Sequence, residues 1–99
     1  MEMIFTGRTA VITGGANGIG RCVLEGFIER GAKVSAIDID RDSLTSLGRV
    51  HGADHIFFHG DAGRREDLED FAGKVKEKFG KVDFLINNAS ISRRGIISN

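Results

Sequence analysis

A glycine-rich run near the N-terminus has the composition needed to hold a phosphate group. Residues 13–20 read TGGANGIG and lie between a strand-like apolar run and a segment with helical periodicity. Gly14 would permit a tight exit from the strand, Gly18 would let the backbone approach a pyrophosphate, and Gly20 would let the helix pack closely. The N–H groups and positive dipole end of that helix would face the phosphates. The residues predicted to surround them are Gly14, Asn17, Gly18, Ile19 and Gly20.

An acidic residue at the end of the next apolar run fits the ribose of a dinucleotide. Asp38 ends the run 33–38, about where a ribose-binding acid should follow the glycines. A carboxylate there can accept hydrogen bonds from both ribose hydroxyls, and its charge repels a 2′-phosphate. Ile39 is apolar where an NADP-binding protein would place a basic residue. We therefore predict a dinucleotide site that prefers NAD over NADP; a carboxylate that merely caps the turn is the simpler alternative.

Other nucleotide-binding schemes fit the glycine run less well. A Walker P-loop is excluded, because Arg21 and Cys22 stand where Lys and Ser or Thr are required. A methyltransferase also binds adenosine beside a glycine-rich first turn and is the runner-up by fold. It would carry an acidic residue where Thr13 stands. A glycine turn that simply connects a strand to a helix is the remaining alternative.

Apolar runs alternate with helix-like stretches along the chain and predict the fold. The order β-α-β-α-β-α-β implies parallel strands joined by right-handed crossovers. The strand cores are apolar on both faces, as in sheets covered by helices on each side. We predict an α/β fold, a Rossmann-like parallel sheet truncated to about four strands, in one partial domain over residues 1–99. Strands are expected at 9–13, 33–38, 56–58 and 82–87, with helices over 18–30, from Asp40 to Gly48 or Gly52, and over 68–79.

Composition excludes several classes of function. Lys and Arg total 14 and balance 14 Asp and Glu, so the electrostatic footprint of a nucleic-acid binder is missing. No apolar run approaches the roughly 18 residues of a membrane span. A single cysteine and an N-terminus without a signal pattern favour the cytoplasm. His51, His55 and His59 are spaced by four, but two of them flank a strand, so we predict no metal site.

The ordered motifs resemble the N-terminal half of short-chain dehydrogenases/reductases. The run 13–20 is similar to that family's T-G-x-x-x-G-I-G motif, and Asp38 matches its strand-end acid. Residues 60–62 are similar to its D-V step, and residues 87–90 (NNAS) to its N-N-A-G motif. This sequence differs from the family's motifs at two positions: Ser90 stands in place of glycine, and Ala62 in place of a larger aliphatic residue.

The resemblance assigns further contacts with the cofactor. It implies that the Asp61 side chain meets the adenine amino group, with Ala62 beside it. It also implies that Asn87 ties the fourth strand to its neighbours. The residues implied to line the ribose of the cofactor are Asn88, Ala89 and Ser90.

The resemblance also implies an activity that depends on a tyrosine which this sequence lacks. Family members pass a hydride between NAD(H) and an alcohol or ketone, using a serine and a Y-x-x-x-K pair whose tyrosine is the general acid/base. The sequence has no tyrosine, so we assign no catalytic residue and expect NAD binding without turnover. The chain would then be a fragment of a longer enzyme. The alternatives are half of a split enzyme, or a non-catalytic NAD-binding or interaction module that self-associates or takes a complementing chain along the strand 82–87 edge.

Overall fold

The computed structural model describes residues 2–88, in which strands and helices alternate as predicted. Four parallel strands form one sheet in the order β3-β2-β1-β4. β4 begins at Phe84 rather than at residue 82, and β3 extends to His59. The elements are β1 (Thr9–Thr13), α1 (Gly18–Glu29), β2 (Lys33–Asp38), α2 (Arg41–His51), β3 (Ile56–His59), α3 (Arg65–Phe79) and β4 (Phe84–Asn87).

Each face of the sheet has its own apolar core, because successive strand residues point to opposite faces. α1 and α2 cover one face and α3 covers the other, which confirms the predicted helices on both faces. The first core contains Ala10, Ile12, Ala16, Leu24, Val34, Ala36, Leu44 and Leu47. The second contains Val11, Ile37, Phe71 and Val75.

The strand order places the candidate residues at one edge. The chain runs outward from β1 through β2 to β3. The connection through α3 then returns it to the other side of β1, where β4 pairs. In open parallel sheets, ligands bind beyond the carboxyl ends of the strands, at the point where the order reverses. Here that point lies between β1 and β4, next to the glycine-rich turn.

β4 is the least covered strand of the sheet. Within residues 2–88 its outer edge has no strand partner. The side chain of Leu85 is 69% exposed, and Val82 and Leu68 are also exposed. Together with α3 these residues line an open apolar groove of about 430 Å³. None of the helices in this part of the chain is long and apolar enough to cross a membrane.

Candidate functional site

Two glycines with positive φ shape the turn between β1 and α1. Gly14 leaves the strand at φ 71°, and Gly18 begins the helix at φ 59°, a region that side chains other than glycine rarely adopt. The Gly14 N–H donates to the Ile37 carbonyl over 2.8 Å, which anchors the turn to β2. A Cβ on Gly18 would meet no described atom within 4 Å. Among residues 2–88, no atom fills the space in front of Gly18.

Close packing at two other glycines brings α1 against the sheet. A Cβ on Gly20 would collide with the Gly14 carbonyl and with the Asn88 side-chain amide, as the predicted close helix packing requires. Sequence reasoning missed Gly15. A Cβ there would lie 3.1 Å from the Ala36 Cβ and 3.2 Å from Ile12 and Leu24 side-chain atoms. The glycine doublet was the signal that could have identified it.

The N-terminus of α1 has no cap from its own side chains. Asn17 occupies the N-cap position with extended backbone (φ −140°, ψ 163°) but makes no side-chain cap hydrogen bond, and the first turn carries no acidic residue. The first N–H groups of an α-helix have no intrahelical acceptors, and the helix dipole makes this end positive. Ile19 lies on the same turn and is 76% exposed. The end of α1 is thus suited to an external anion.

The Asn17 side chain instead contacts the start of α2. Its Nδ2 donates to Asp40 Oδ2 over 2.6 Å. The Ser43 hydroxyl lies 2.9 Å from Asn17 Oδ1 and 2.8 Å from Asp40 Oδ2, so its single hydrogen is shared between them. The hydrogen bond from Asn17, joined by those from Ser43, lowers the pKa of the Asp40 carboxyl below its usual value. Asp40 also caps α2, as the sequence predicted, by accepting from the Ser43 N–H.

The Asp38 carboxylate connects the glycine turn to the β2–α2 segment. Its Oδ2 accepts from the Ala16 N–H over 3.0 Å, and its Oδ1 accepts from the Asp40 N–H over 2.9 Å. Asp38 therefore does cap the turn, as the simpler alternative predicted. Two carboxylate oxygens offer about four acceptor positions, so two remain for ribose hydroxyls. Ile39, beside it, is 71% exposed.

The segment after β3 reaches the same edge. The Gly60 N–H donates to the Asp38 carbonyl over 2.9 Å, which places the two strand ends side by side. Asp61 Oδ1 accepts from the Gly63 N–H, and the Asp61 N–H donates to Asp67 Oδ2, both over 2.8 Å. Asp61 is exposed, whereas Ala62 packs partly buried against the α3-side core.

The end of β4 supports the glycine turn from its other side. The Thr13 hydroxyl donates to Asn87 Oδ1 over 2.7 Å, which ties β4 to β1 as the resemblance implied. The Asn88 N–H donates to the Thr13 carbonyl, and Asn88 Nδ2 donates to the Gly14 carbonyl, both over 3.1 Å. The structure thus assigns the Asn88 amide a contact with the turn that sequence reasoning missed. Ala89 and Ser90 lie outside the described residues.

The three regularly spaced histidines have separate partners. His51 Nε2 lies 2.9 Å from Glu25 Oε2, and His55 Nδ1 accepts from the Val34 N–H. Burial, with a smaller contribution from nearby positive charge, lowers the pKa of the His55 imidazole. Over residues 2–88 no group of three His, Cys, Asp or Glu side chains converges as metal ligands would.

Comparison with protein families and curated proteins gives consistent matches. The family model described as short chain dehydrogenase matches residues 8–99. A cis-2,3-dihydrobiphenyl-2,3-diol dehydrogenase from Pseudomonas putida is 39% identical over 89 residues, covering 90% of this chain and 32% of that protein. Tropinone reductase-like 1 from Erythroxylum coca is 39% identical over 85 residues, covering 86% of this chain and 31% of that protein.

A solved structure matches the fold at similar sequence identity. A short-chain dehydrogenase/reductase from Brucella melitensis, described as a glucose/ribitol dehydrogenase, superposes with a TM-score of 0.78 and 34% identity. The match covers 86% of this chain and 37% of that one. The chain therefore spans about a third of the length of the relatives that it matches.

Proposed function

Because the chain belongs to the short-chain dehydrogenase family, we propose that it supplies the adenosine and pyrophosphate part of an NAD(H) site in an oxidoreductase. The observation that carries the proposal is the uncapped N-terminus of α1, with open space in front of Gly18 and the Asp38 carboxylate at the same sheet edge. Exposed N–H groups at a helix N-terminus bind pyrophosphate, and a neighbouring strand-end acid binds ribose.

In this proposal each part of the dinucleotide has its own residues. The N–H groups from Gly18 to Gly20 bind the pyrophosphate, and Asp38 binds the adenosine ribose. Asp61 meets the adenine amino group. The remaining residues proposed to contact the cofactor are Gly14, Asn17, Ile39, Ala62, Asn88, Ala89 and Ser90.

A preference for NAD over NADP follows from charge. The Asp38 carboxylate is held in place by two backbone N–H groups, so it cannot easily turn away from a 2′-phosphate. The neighbouring Ile39 side chain is apolar and offers that phosphate no counter-charge. The two negative groups would repel each other across the ribose.

The proposed reaction belongs to the whole protein. Bound NAD supplies the group that accepts or returns a hydride, and the substrate is an alcohol or ketone. The sequence contains no tyrosine, which supports binding without turnover by this chain alone. Alcohol-dependent NADH formation by the purified 99-residue chain would overturn that part of the proposal.

Calorimetric titration of the chain with NAD⁺ and NADP⁺ tests the site. We expect NAD⁺ to bind about tenfold more tightly than NADP⁺, as one carboxylate near a phosphate predicts. Asp38→Asn should reduce that ratio to about one or two. Asp42→Asn is the matched control, because it removes an exposed carboxylate from the first turn of α2. Absence of NAD⁺ binding, or an unchanged ratio in Asp38→Asn, would contradict the proposal.

An interaction role is the second candidate, favoured by the outer edge of β4, which no strand within residues 2–88 covers. An unpaired strand edge beside exposed apolar side chains can pair with another chain. In this alternative the chain is half of a split enzyme or a non-catalytic module, and a second copy or a complementing chain covers the groove beside Leu85.

A further inference from the structure

Asn17 has the type and the position of a helix cap but does not act as one. Asn is among the strongest N-cap residues, and its side-chain oxygen normally accepts from the N–H two or three positions later. For α1 those N–H groups belong to Ile19 and Gly20. The Asn17 backbone is extended, as a cap requires, yet its side chain makes no such bond. Some other interaction must hold the side chain away.

That interaction comes from α2 and uses both polar ends of the Asn17 amide. Its Nδ2 donates to Asp40 Oδ2 over 2.6 Å, and its Oδ1 lies 2.9 Å from the Ser43 hydroxyl. An amide oxygen engaged by Ser43 is turned away from the N–H groups of its own helix. We call the contacts among Asn17, Asp40 and Ser43 the amide clamp.

The clamp is built on a fixed support. Asp40 Oδ1 accepts from the Ser43 N–H over 3.1 Å, so that the same carboxylate caps α2. The Asp40 N–H donates to Asp38 Oδ1 over 2.9 Å, which joins the clamp to the strand-end acid. Since each group makes more than one bond, the Asn17 side chain has little freedom to leave.

We propose that Asp40 and Ser43 are positioning residues that keep the first N–H groups of α1 free for the pyrophosphate of the dinucleotide. This inference rests on the proposed function and adds no new site to it. Without the clamp, Asn17 Oδ1 would turn onto the Ile19 or Gly20 N–H and compete with the phosphate oxygens. The clamp thus prevents a helix from capping itself where a ligand must bind.

Ser43→Ala is the most selective test of this role. It removes the hydroxyl that engages Asn17 Oδ1 but retains the backbone N–H through which Asp40 caps α2. We expect the dissociation constant for ADP, measured by NMR titration of the labelled chain, to rise about fivefold. The reason is that Asn17 would then cap α1 and compete with the phosphate oxygens for its N–H groups. The constant for adenosine, which has no phosphate, should change less than about twofold. Ser43→Thr should restore ADP binding.

The matched control is Thr45→Ala. Thr45 lies on the same helix, is exposed, and its hydroxyl donates to the Arg41 carbonyl within α2. Removing it should leave the ADP dissociation constant within about 1.5-fold of the wild-type value. An equal loss in Thr45→Ala and Ser43→Ala would mean that the hydroxyls act only through helix stability, and would overturn the proposal.

Repeating Ser43→Ala in the Asn17→Ala chain tests whether Ser43 acts through the Asn17 side chain or through the stability of α2. In Asn17→Ala no amide is available to cap α1, so adding Ser43→Ala should change the ADP dissociation constant less than about 1.5-fold. The same fivefold loss in both backgrounds would overturn the proposal. In the ligand-free Ser43→Ala chain, the Ile19 or Gly20 amide proton should shift downfield as Asn17 caps it, and unchanged shifts would also overturn it.

The outcomes distinguish this inference from the function on which it rests. If the wild-type chain binds no ADP, the proposed dinucleotide site fails and the inference fails with it. If the wild-type chain binds ADP and Ser43→Ala binds it equally well, the site stands and only the role of the clamp is lost.

Discussion

At the scale of single residues, the polar side chains at the carboxyl edge mainly hold backbone groups in place. Asp38 accepts from two N–H groups, Asn88 supports the Gly14 carbonyl, and Asp61 caps its own turn. These bonds fix the backbone around the N-terminus of α1. In the proposed dinucleotide site such preorganisation reduces the ordering cost of binding.

Ser35 carries a buried polar group that contributes no hydrogen bond within residues 2–88. Its side chain on β2 is fully buried, and its hydroxyl makes no hydrogen bond within the described part of the chain. Ser35 lies in register between Val11 and Ile56, toward the α3-side core. A buried hydroxyl without a partner costs about 1–3 kcal/mol of desolvation that nothing offsets.

We therefore expect Ser35→Ala to leave the free energy of unfolding unchanged or to raise it by up to about 1 kcal/mol. Urea denaturation followed by circular dichroism measures it. Thr45→Ala, on the exposed face of α2, is the comparison and should change stability by less than about 0.5 kcal/mol. A loss greater than about 1 kcal/mol in Ser35→Ala would show that the hydroxyl is satisfied.

Asp83 makes stability depend on pH. Its carboxylate accepts from the Thr9 N–H over 2.8 Å and lies near Lys81 and Arg8. The Thr9 hydrogen bond, with help from these cations, lowers the pKa of Asp83 in the folded chain. A lowered folded-state pKa adds stability above the unfolded value of about 4, and that stability is lost as the pH falls through the folded value.

The expected result is that wild type loses more stability than Asp83→Asn between about pH 5 and pH 2. Urea denaturation at a series of pH values gives the difference, which isolates Asp83 from other carboxyls. Parallel curves for wild type and Asp83→Asn would show that the Thr9 contact does not distinguish the two protonation states.

At the scale of elements, the first turn of α1 is positioned by close contact between backbones. Gly20 lies so close to the β1–α1 turn that a Cβ would collide with the Gly14 carbonyl. This contact is what brings the N-terminus of α1 to the edge of the sheet beside Asn88. Small shifts of the helix would move its N–H groups relative to the proposed phosphate position.

Gly20→Ala should lower the free energy of unfolding by more than about 2 kcal/mol, because a backbone atom must move to admit the methyl group. Gly73→Ala is the matched control in α3. A Cβ there meets nothing within 4 Å, so the substitution should stabilise by about 0.5–1 kcal/mol through helix propensity. Thermal unfolding of both variants measures the difference between their changes in stability. Equal effects would show that α1 can move away from the turn at little cost.

At the scale of the whole molecule, residues 2–88 cover the sheet well at its centre and poorly at β4. The central strands β1 and β2 are nearly completely buried. On β4 the exposed residues alternate with half-buried ones, and the groove of about 430 Å³ beside α3 is open. Burial of these apolar side chains would favour association with another chain segment.

We expect the 99-residue chain to self-associate as its concentration rises, and Leu85→Lys to weaken that association. Light scattering on a size-exclusion column gives the mass directly, against 10.7 kDa for one chain. Val50→Lys is the control, since Val50 is 63% exposed on α2, away from the groove. A wild-type mass of one chain at all concentrations would leave the groove without a role in self-association.

The sequence by itself determined the parts of this protein that depend on local order. The four strands, the three helices and the Asp40 cap follow from periodicity and from residue types only a few positions apart. The residues of the glycine turn were identified in the same way, from spacing. The cofactor roles of those residues are still predictions.

Tertiary structure alone decided which distant groups meet. The Asn17 contact with Asp40 and Ser43 and the Asn88 bond to Gly14 depend on the order β3-β2-β1-β4. That order places chain segments side by side that are more than twenty residues apart. Side-chain periodicity is a property of a single element, whereas these contacts arise from strand pairing and helix packing between elements, which no local pattern encodes.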